Sequence, residues 1–423
     1  MKLLIKFKVC ATGLITCEQT WSEFDPKQVR YFSSNAINQD LDNFIKIKGD
    51  EPTLTHSSEN YIETKRLTFK YVIEPKFTKH IGSHRPLSLN MPFSNQNEFF
   101  MGDSCILRPF DAKFNELIND SIELEIINET NLSLFTSIKP GAVDREQLIL
   151  FFCYLCHARE NVYSGKNKNL SIQIVQSESA SKIISAKELF LDVNSYLNYY
   201  VDELGNHKQK ELIIFQNIPD PNFQKLNNGK TFATGENVRN GILIYLPNDG
   251  DYLQWLAGHR DYLRELRTGL IHEIGHFYSS KGGDPNKTIL THDKVCPERD
   301  YWIIGENLNG YFTSFIAKSF GVVSSPQDFK TLAMQNAKNY KKRKGYAGCL
   351  YFCFVDKILK DEGTSLWVVY KEMIRSQREN PTLYKSIEYF YDCLEGFCSE
   401  NIINKIKEVF KKSPEQLIEE IDL

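Results

Sequence analysis

The residues most able to do chemistry lie in the stretch LIHEIGHFYSS, residues 270–280, which carries His272, Glu273 and His276. On a helix, positions i and i+4 share one face, so the two imidazoles could bind the same metal ion. Glu273, one position round the helix, could reach a water on that ion and take its proton. This is the HExxH arrangement, in which neutral imidazoles hold zinc and the metal acidifies its water.

A catalytic zinc of this kind needs a third protein ligand and an open fourth position. No histidine follows at the spacing of the longer HExxHxxGxxH pattern, because Ser279 and Gly282 stand there. Glu306, in YWIIGENLNGYFTSF, is the alternative: it lies 30 residues beyond His276, at the start of an apolar helical pattern. Taken alone, such a glutamate is a first-turn charge favoured by the helix dipole. Beside the HExxH stretch, the interpretation as a ligand is favoured.

The elements that must position these residues follow from hydrophobic periodicity. Residues 1–165 alternate in short apolar segments, typical of a β-rich domain, with a helix predicted at about 145–158 and a polar loop at SGKNKN, residues 164–169. Residues 166–310 mix strands and helices, with a helix over 261–280 carrying the histidines. Residues 311–423 are helical. We therefore predict an α+β protein of three domains.

Composition excludes several classes of partner. The 423 residues are 41% hydrophobic and 25% charged, with a net charge of −3, as in soluble globular proteins. No basic block could follow a phosphate backbone, so nucleic acid is not expected as a partner. The alternating start, with Ile5, Phe7 and Val9 opposite Leu4, Lys6 and Lys8, predicts an amphipathic strand rather than a signal peptide. No apolar run is long enough for a membrane span, and a cytoplasmic location is expected.

Ten cysteines without a dense spacing pattern favour free thiols in a reducing compartment. Most are predicted to be buried small apolar residues. Cys153 and Cys156, followed by His157, could begin a metal site, but no second pair lies at zinc-ribbon spacing. The favoured interpretation is a thiol-rich helix in the run LILFFCYLCHA.

At this point the sequence resembles a known family, the glycyl aminopeptidases (family M61), which are gluzincin metallopeptidases related to the M1 aminopeptidases and thermolysin. The resemblance rests on HEIGH, the glutamate about 30 residues on with Trp302 before it and the aromatic helix GYFTSF after it. Further segments agree in order: FNELINDSIELEI, YYVDELGNHKQKELIIF, TGENVRNGILIYLP and GYAGCLYFCFVDKILKDEG. The resemblance implies a thermolysin-like α/β catalytic domain at 166–310, with the cleft between it and the helical domain.

The resemblance also implies a role for individual residues. His272, His276 and Glu306 would bind zinc, and Glu273 would be the general base. Glu236, with Gly235 allowing close approach of the backbone, would bind the free amino terminus of a peptide on an edge strand. Tyr346 would donate its phenol to the oxyanion.

One position departs from the thermolysin-like pattern. Gly310 stands where an aspartate would orient the first histidine, so that support must come from other residues.

Three functions compete on these residues. The first is a zinc aminopeptidase acting on peptides, with a preference for small N-terminal residues implied by the resemblance; an endopeptidase of the same fold is its close alternative. The second is a catalytically weak or inactive member of the fold that serves as a protein-interaction module. The third, a structural zinc site closed by Cys296, is disfavoured because such sites usually use four protein ligands and more cysteine.

Overall fold

The protein is known here from a computed structural model. It describes residues 2–9, 15–22, 31–33, 45–47, 62–63, 68–73, 97–101, 108–110, 121–130, 133–143, 152–156, 161–206, 209–218, 234–238, 241–246, 261–279, 301–323, 329–342, 348–379 and 387–422. Close contacts divide the chain into two compact units, one formed by 1–190 and 209–248, the other by 191–208 and 249–423. The predicted three-domain division stays a prediction.

In its described residues the first unit contains four sheets, of six, five, three and three strands, and the five-stranded one is an α/β sheet. The strands are β1 Lys2–Val9, β2 Ile15–Ser22, β3 Tyr31–Ser33, β4 Ile45–Ile47, β5 Ile62–Glu63, β6 Thr68–Ile73, β7 Asn97–Met101, β8 Arg108–Phe110, β9 Ser121–Asn128, β10 Ser133–Thr136, β11 Gly141–Val143, β12 Phe152–Cys156, β13 Val162–Asn167, β14 Leu170–Gln176, β15 Glu211–Asn217, β16 Thr234–Val238 and β17 Gly241–Tyr245. The short helix α1, Glu178–Ser181, follows β14.

The amphipathic start of the chain is confirmed. Leu3, Ile5 and Phe7 of β1 are buried, whereas Lys6 and Lys8 are partly exposed. Their strand pairs antiparallel with β2 and parallel with β9, at the centre of a sheet ordered β11-β9-β1-β2-β6-β4. A period of two therefore gives one buried and one partly exposed face.

The prediction of a helix at 145–158 is wrong over residues 152–156, the part of this segment that the structure describes. Residues 152–156, which include Cys153 and Cys156, form β12, paired antiparallel with β10 on one side and β7 on the other. A short continuous apolar run does not distinguish a buried helix from a central strand by its period alone. The two flanking strands decide in favour of the strand.

The polar loop predicted at SGKNKN is also partly wrong. Ser164, Gly165, Lys166 and Asn167 belong to β13, which forms a hairpin with β14. Only the next two residues turn, with Lys168 at φ 50°. The polar residues are those of a strand at the edge of its sheet, where polar side chains are common.

The α/β sheet of the first unit is ordered β13-β14-β15-β17-β16. Its three central strands are parallel, and the outer strands β13 and β16 run antiparallel to their neighbours. Consecutive residues of the central strands are buried, such as Ile213 to Phe215 and Ile242 to Ile244. Such runs are typical of parallel strands covered on both faces.

The second unit is helical in its described part. Its helices are the greater part of α2 Ala186–Leu204, α3 Tyr262–Ser279, a π-helix Tyr301–Asn307, α4 Leu308–Ser319, α5 Phe329–Lys342, α6 Gly348–Asp361, α7 Leu366–Glu379, α8 Ile387–Glu395, α9 Glu400–Lys411 and α10 Pro414–Asp422. The mixed α+β class with a helical C-terminal region is therefore confirmed. No helix in the described ranges is long and apolar enough to cross a membrane.

Helix α3 forms because its apolar residues repeat every four positions. Leu266, Leu270 and Ile274 are fully buried along one side. Its start is capped by Asp261, whose carboxylate accepts a hydrogen bond from the Leu263 N–H at 3.0 Å. The histidines of the HExxH stretch lie on the less buried side of the same helix.

A buried carboxylate ties together three helices of the second unit. Asp356 of α6 accepts hydrogen bonds from the Tyr311 hydroxyl of α4 at 2.8 Å and from the Leu366 N–H of α7 at 3.0 Å. Lys360 neutralises it from the surface at 2.6 Å. Burial and the negative charge of Asp356 together raise the pKa of Tyr311 far above its ordinary value, so this phenol stays a donor.

We expect Asp356→Ala to lower the free energy of unfolding by about 2 to 4 kcal/mol, because the buried Tyr311 hydroxyl and Leu366 N–H would both lose their acceptor. Asp361→Ala is the matched control: it removes an exposed carboxylate of the same helix, paired with Lys357 at 2.7 Å, and should change stability by less than about 0.5 kcal/mol. Urea denaturation of both variants measures the difference. Equal stability of the two variants would contradict the role of Asp356 in holding the three helices together.

Candidate metal centre and active site

Three potential ligand atoms converge on one point of the second unit. His272 Nε2 and His276 Nε2 are 3.0 Å apart, and Glu306 Oε2 lies 3.5 Å from the former and 3.2 Å from the latter. Zinc with bonds of 2.0–2.1 Å in a tetrahedron sets its ligand atoms about 3.3 to 3.4 Å apart. The three observed distances bracket this value, so the residues present fit a zinc ion.

The two elements that carry these ligands approach each other closely. The histidines come from α3, where their rings stand nearly perpendicular, with centroids 4.6 Å apart. Glu306 comes from the π-helix that leads directly into α4. A π-helical turn is an uncommon structure that occurs frequently at functional sites. Here it places the Glu306 carboxylate opposite the two histidines of α3.

The cluster is partly open to solvent. The side chains of His272, His276 and Glu306 are 25%, 12% and 22% exposed. A metal held by three such ligands keeps a position that water or a substrate can reach, as catalytic zinc sites do. In the part of the chain that the structure describes, no other three histidine, cysteine, aspartate or glutamate residues come close enough to hold a metal.

The electrostatic field at the site favours positive charge. Burial lowers the pKa of His272, but the hydrogen bond to Glu306 and the negative charges of Glu273 and Glu306 outweigh it, so the pKa is raised. Burial also opposes ionisation of Glu306, yet the charges and hydrogen bonds of both histidines hold its pKa well below the ordinary value. A field that favours a proton at this point also favours a cation.

Glu273 is buried, with 4% of its surface exposed, directly beside the first histidine. Its negative charge contributes to the raised pKa of His272. A carboxylate in this position can exchange a proton with a group bound at the metal position.

The remaining predicted site residues are described in part or not at all. Gly235 and Glu236 lie in β16, at one end of the α/β sheet, where Glu236 is in register with Leu243 of β17. An edge strand is confirmed there, and the roles of these two residues stay predictions. Tyr346 and Cys296 lie outside the described residues. The five cysteines that the structure describes as free thiols are Cys17, Cys349, Cys353, Cys393 and Cys398.

Two residues next to the cluster were missed at the level of sequence. Asn309 and Thr313 of α4 both face His272: Asn309 Nδ2 donates to the His272 carbonyl at 2.8 Å, and Thr313 Oγ1 lies 3.3 Å from His272 Nδ1. They stand three and seven positions after Glu306, on one helical face, and this spacing is the signal that could have found them. Gly310, four positions after Glu306, faces Cys349 instead.

Comparison by sequence finds no relative: no protein-family model matches the chain, and neither does any curated protein. Comparison by structure finds chains of similar fold. The chain is similar to the aminopeptidase N family protein of Idiomarina loihiensis, with a TM-score of 0.63 and 11% identity, over 96% of this chain and 75% of that one. It is also similar to the M1 zinc metallopeptidase of Deinococcus radiodurans, with a TM-score of 0.52 and 8% identity, over 96% and 92%.

A third similar structure is a variant of a two-domain M1 zinc metallopeptidase bound to L-tryptophan, with a TM-score of 0.51 and 7% identity, over 97% and 93% of the two chains. At these identities the likeness shows the fold. The chain therefore has the fold of M1 zinc aminopeptidase-family proteins, and the narrower resemblance to the glycyl aminopeptidases stays a prediction.

We expect the purified protein to contain close to one zinc per chain by elemental analysis. His276→Ala and Glu306→Ala should each lose most of it, because two remaining ligands hold zinc poorly. Glu362→Ala, which removes an exposed carboxylate of the same unit, is the control and should keep the metal. Zinc retained in Glu306→Ala would show that Glu306 is not a ligand.

Proposed function

We propose that this protein is a zinc-dependent peptidase, and that within this class it is an aminopeptidase with a thermolysin-like core and a preference for small N-terminal residues. The observation that carries the proposal is the tetrahedral spacing of His272, His276 and Glu306 beside the buried Glu273. The fold shared with M1 zinc aminopeptidase-family proteins supports it. The small-residue preference rests on the resemblance to the glycyl aminopeptidases.

The chemistry divides between the metal and the chain. A zinc ion bound at the three ligands would act as a Lewis acid, making water a better nucleophile and polarising the scissile carbonyl. Glu273 takes the proton that the attacking water loses and delivers it to the leaving amine, so that no charged amide anion has to leave. The low exposure of Glu273 keeps this proton transfer away from bulk solvent.

Two further residues complete the proposed reaction. Tyr346 donates its phenolic hydrogen to the oxygen of the carbonyl under attack, where negative charge develops. Glu236 pairs with the ammonium group of the substrate, which places the first peptide bond at the reacting position and makes the enzyme an exopeptidase. Gly235 lets the peptide backbone approach β16, whose outer edge has no further strand among the described residues.

We expect Glu273→Gln to lower kcat for an aminoacyl substrate by about 10²- to 10⁴-fold, because the amide cannot accept the water's proton. The variant should bind zinc as the wild type does, since Glu273 is not a ligand. Hydrolysis is measured beside zinc content in the same preparation. Unchanged kcat in a zinc-loaded variant would favour the interaction-module alternative.

The exopeptidase assignment is tested with paired peptides that differ only in an N-terminal acetyl group. We expect the free peptide to be cleaved and the blocked one to be resistant, because acetylation removes the ammonium that Glu236 binds. Glu236→Gln should raise KM for the free peptide and leave zinc content unchanged. Equal cleavage of both peptides by the wild type would identify an endopeptidase of the same fold.

A further inference from the structure

The ring nitrogens of His272 face two different environments. Nε2 points into the cluster, 3.0 Å from His276 Nε2 and 3.5 Å from Glu306 Oε2, whereas Nδ1 points toward α4. A neutral imidazole carries its proton on one nitrogen and a lone pair on the other. Binding of a metal through Nε2 therefore requires the proton on Nδ1, and an acceptor for that proton on the α4 side.

Thr313 supplies the acceptor. Its Oγ1 lies 3.3 Å from His272 Nδ1, and its own hydrogen is donated to the Asn309 carbonyl at 2.8 Å. Because that hydrogen is engaged, a lone pair of the hydroxyl oxygen remains to receive the Nδ1–H. Thr313 is 4% exposed, so water does not readily take its place.

Asn309 holds the backbone on which the ring stands. Its Nδ2 donates to the His272 carbonyl at 2.8 Å, which fixes the orientation of the amide, since the reverse orientation would set two oxygens against each other. The same nitrogen is 3.4 Å from His272 Nδ1, but an amide nitrogen has only N–H donors, so once Nε2 binds a metal and Nδ1 carries the proton, Asn309 Nδ2 cannot accept it and Thr313 Oγ1 is the acceptor. Asn309 thus positions the ring through the His272 backbone and leaves the proton on Nδ1 to Thr313.

Gly275 provides the space for this contact. A Cβ at position 275 would stand 2.0 Å from Asn309 Oδ1 and 2.9 Å from the Tyr200 hydroxyl, and Tyr200 itself donates to the Ile271 carbonyl at 3.2 Å. Any side chain there would displace Asn309. The absence of a side chain at Gly275 is therefore required for Asn309 and Tyr200 to pack against α3 behind His272.

We propose that Asn309 and Thr313 are positioning residues that hold His272 with its proton on Nδ1 and Nε2 directed at the metal, and that Gly275 admits them. They do, with uncharged groups, what a carboxylate would do in the thermolysin-like pattern that Gly310 interrupts. The inference rests on the zinc site of the proposed function and does not depend on the peptidase activity.

The test is zinc affinity, measured by competition with a chromophoric chelator. Thr313→Val keeps the shape of the side chain and removes the acceptor, and it should weaken zinc binding by about 10- to 100-fold, the usual effect of losing the partner of a metal-bound histidine. Thr313→Ser keeps the hydroxyl and should restore wild-type affinity. Thr268→Val is the matched control: Thr268 makes the same bond to the carbonyl four residues earlier, at 2.8 Å, one turn before His272.

A second readout follows the proton itself. In the zinc-loaded wild type and in Thr313→Ser, the NMR signal of the His272 Nδ1–H should exchange slowly with solvent; in Thr313→Val it should exchange fast or be lost. Gly275→Ala should weaken zinc binding at least as much as Thr313→Val while circular dichroism still shows a folded protein. If Gly275→Ala fails to fold, the threonine series decides.

Each outcome separates the two proposals. Wild-type zinc affinity and a protected Nδ1–H in Thr313→Val would overturn the positioning role and leave the zinc site intact. A wild type that binds zinc and hydrolyses no peptide would remove the proposed activity and leave the positioning role to the threonine series. A wild type that binds no zinc would overturn both.

Discussion

The close approach of α3 and α4 is the constraint on which the rest of the site depends. Two imidazole nitrogens lie 3.0 Å apart, a distance at which they repel if both present lone pairs and attract if a proton or a cation lies between them. Glu306 adds a negative charge at the same point from the π-helix that leads into α4. The pairing of Glu306 with the two histidines favours a proton or a cation at this point, and the packed helices fix the backbone from which each side chain extends.

That fixation comes from helix packing rather than from the site itself. Tyr200 and Asn309 donate to consecutive carbonyls of α3, at Ile271 and His272, from different helices. Gly275 lies where both of these side chains reach α3. Because no side chain stands at 275, the helices come close enough for a polar network to form behind the ligands. A ligand held this way loses little freedom on binding a metal, which is how a packed scaffold contributes to affinity.

Sequence reasoning predicted the local elements of this arrangement and missed most of the contacts between them. The period of the apolar residues in α3 and the alternation in β1 follow directly from burial on one face, so both could be predicted. The run at 152–156 could not, because a strand paired on both sides is apolar throughout and has no helical or alternating signature. The grouping of His272, His276 and Glu306 was predicted from residue type and spacing, and the structure brings the three side chains together. Asn309 and Thr313 were not, since their role depends on which face of α4 meets α3.

The chemical type of the group that hydrogen-bonds to His272 Nδ1 affects the net charge around a bound metal ion. A carboxylate behind a ligand histidine raises the basicity of the ring and brings a second negative charge close to the ion. Thr313 is neutral, so among the described residues the negative charges that raise the pKa of His272 are those of Glu306 and Glu273. Less of the positive charge of a bound cation would then be neutralised, which favours acidification of water and polarisation of a carbonyl at some loss of binding strength. In the proposed site the packing around Gly275 would offset part of that loss, because it fixes the backbone of His272 in the absence of a metal.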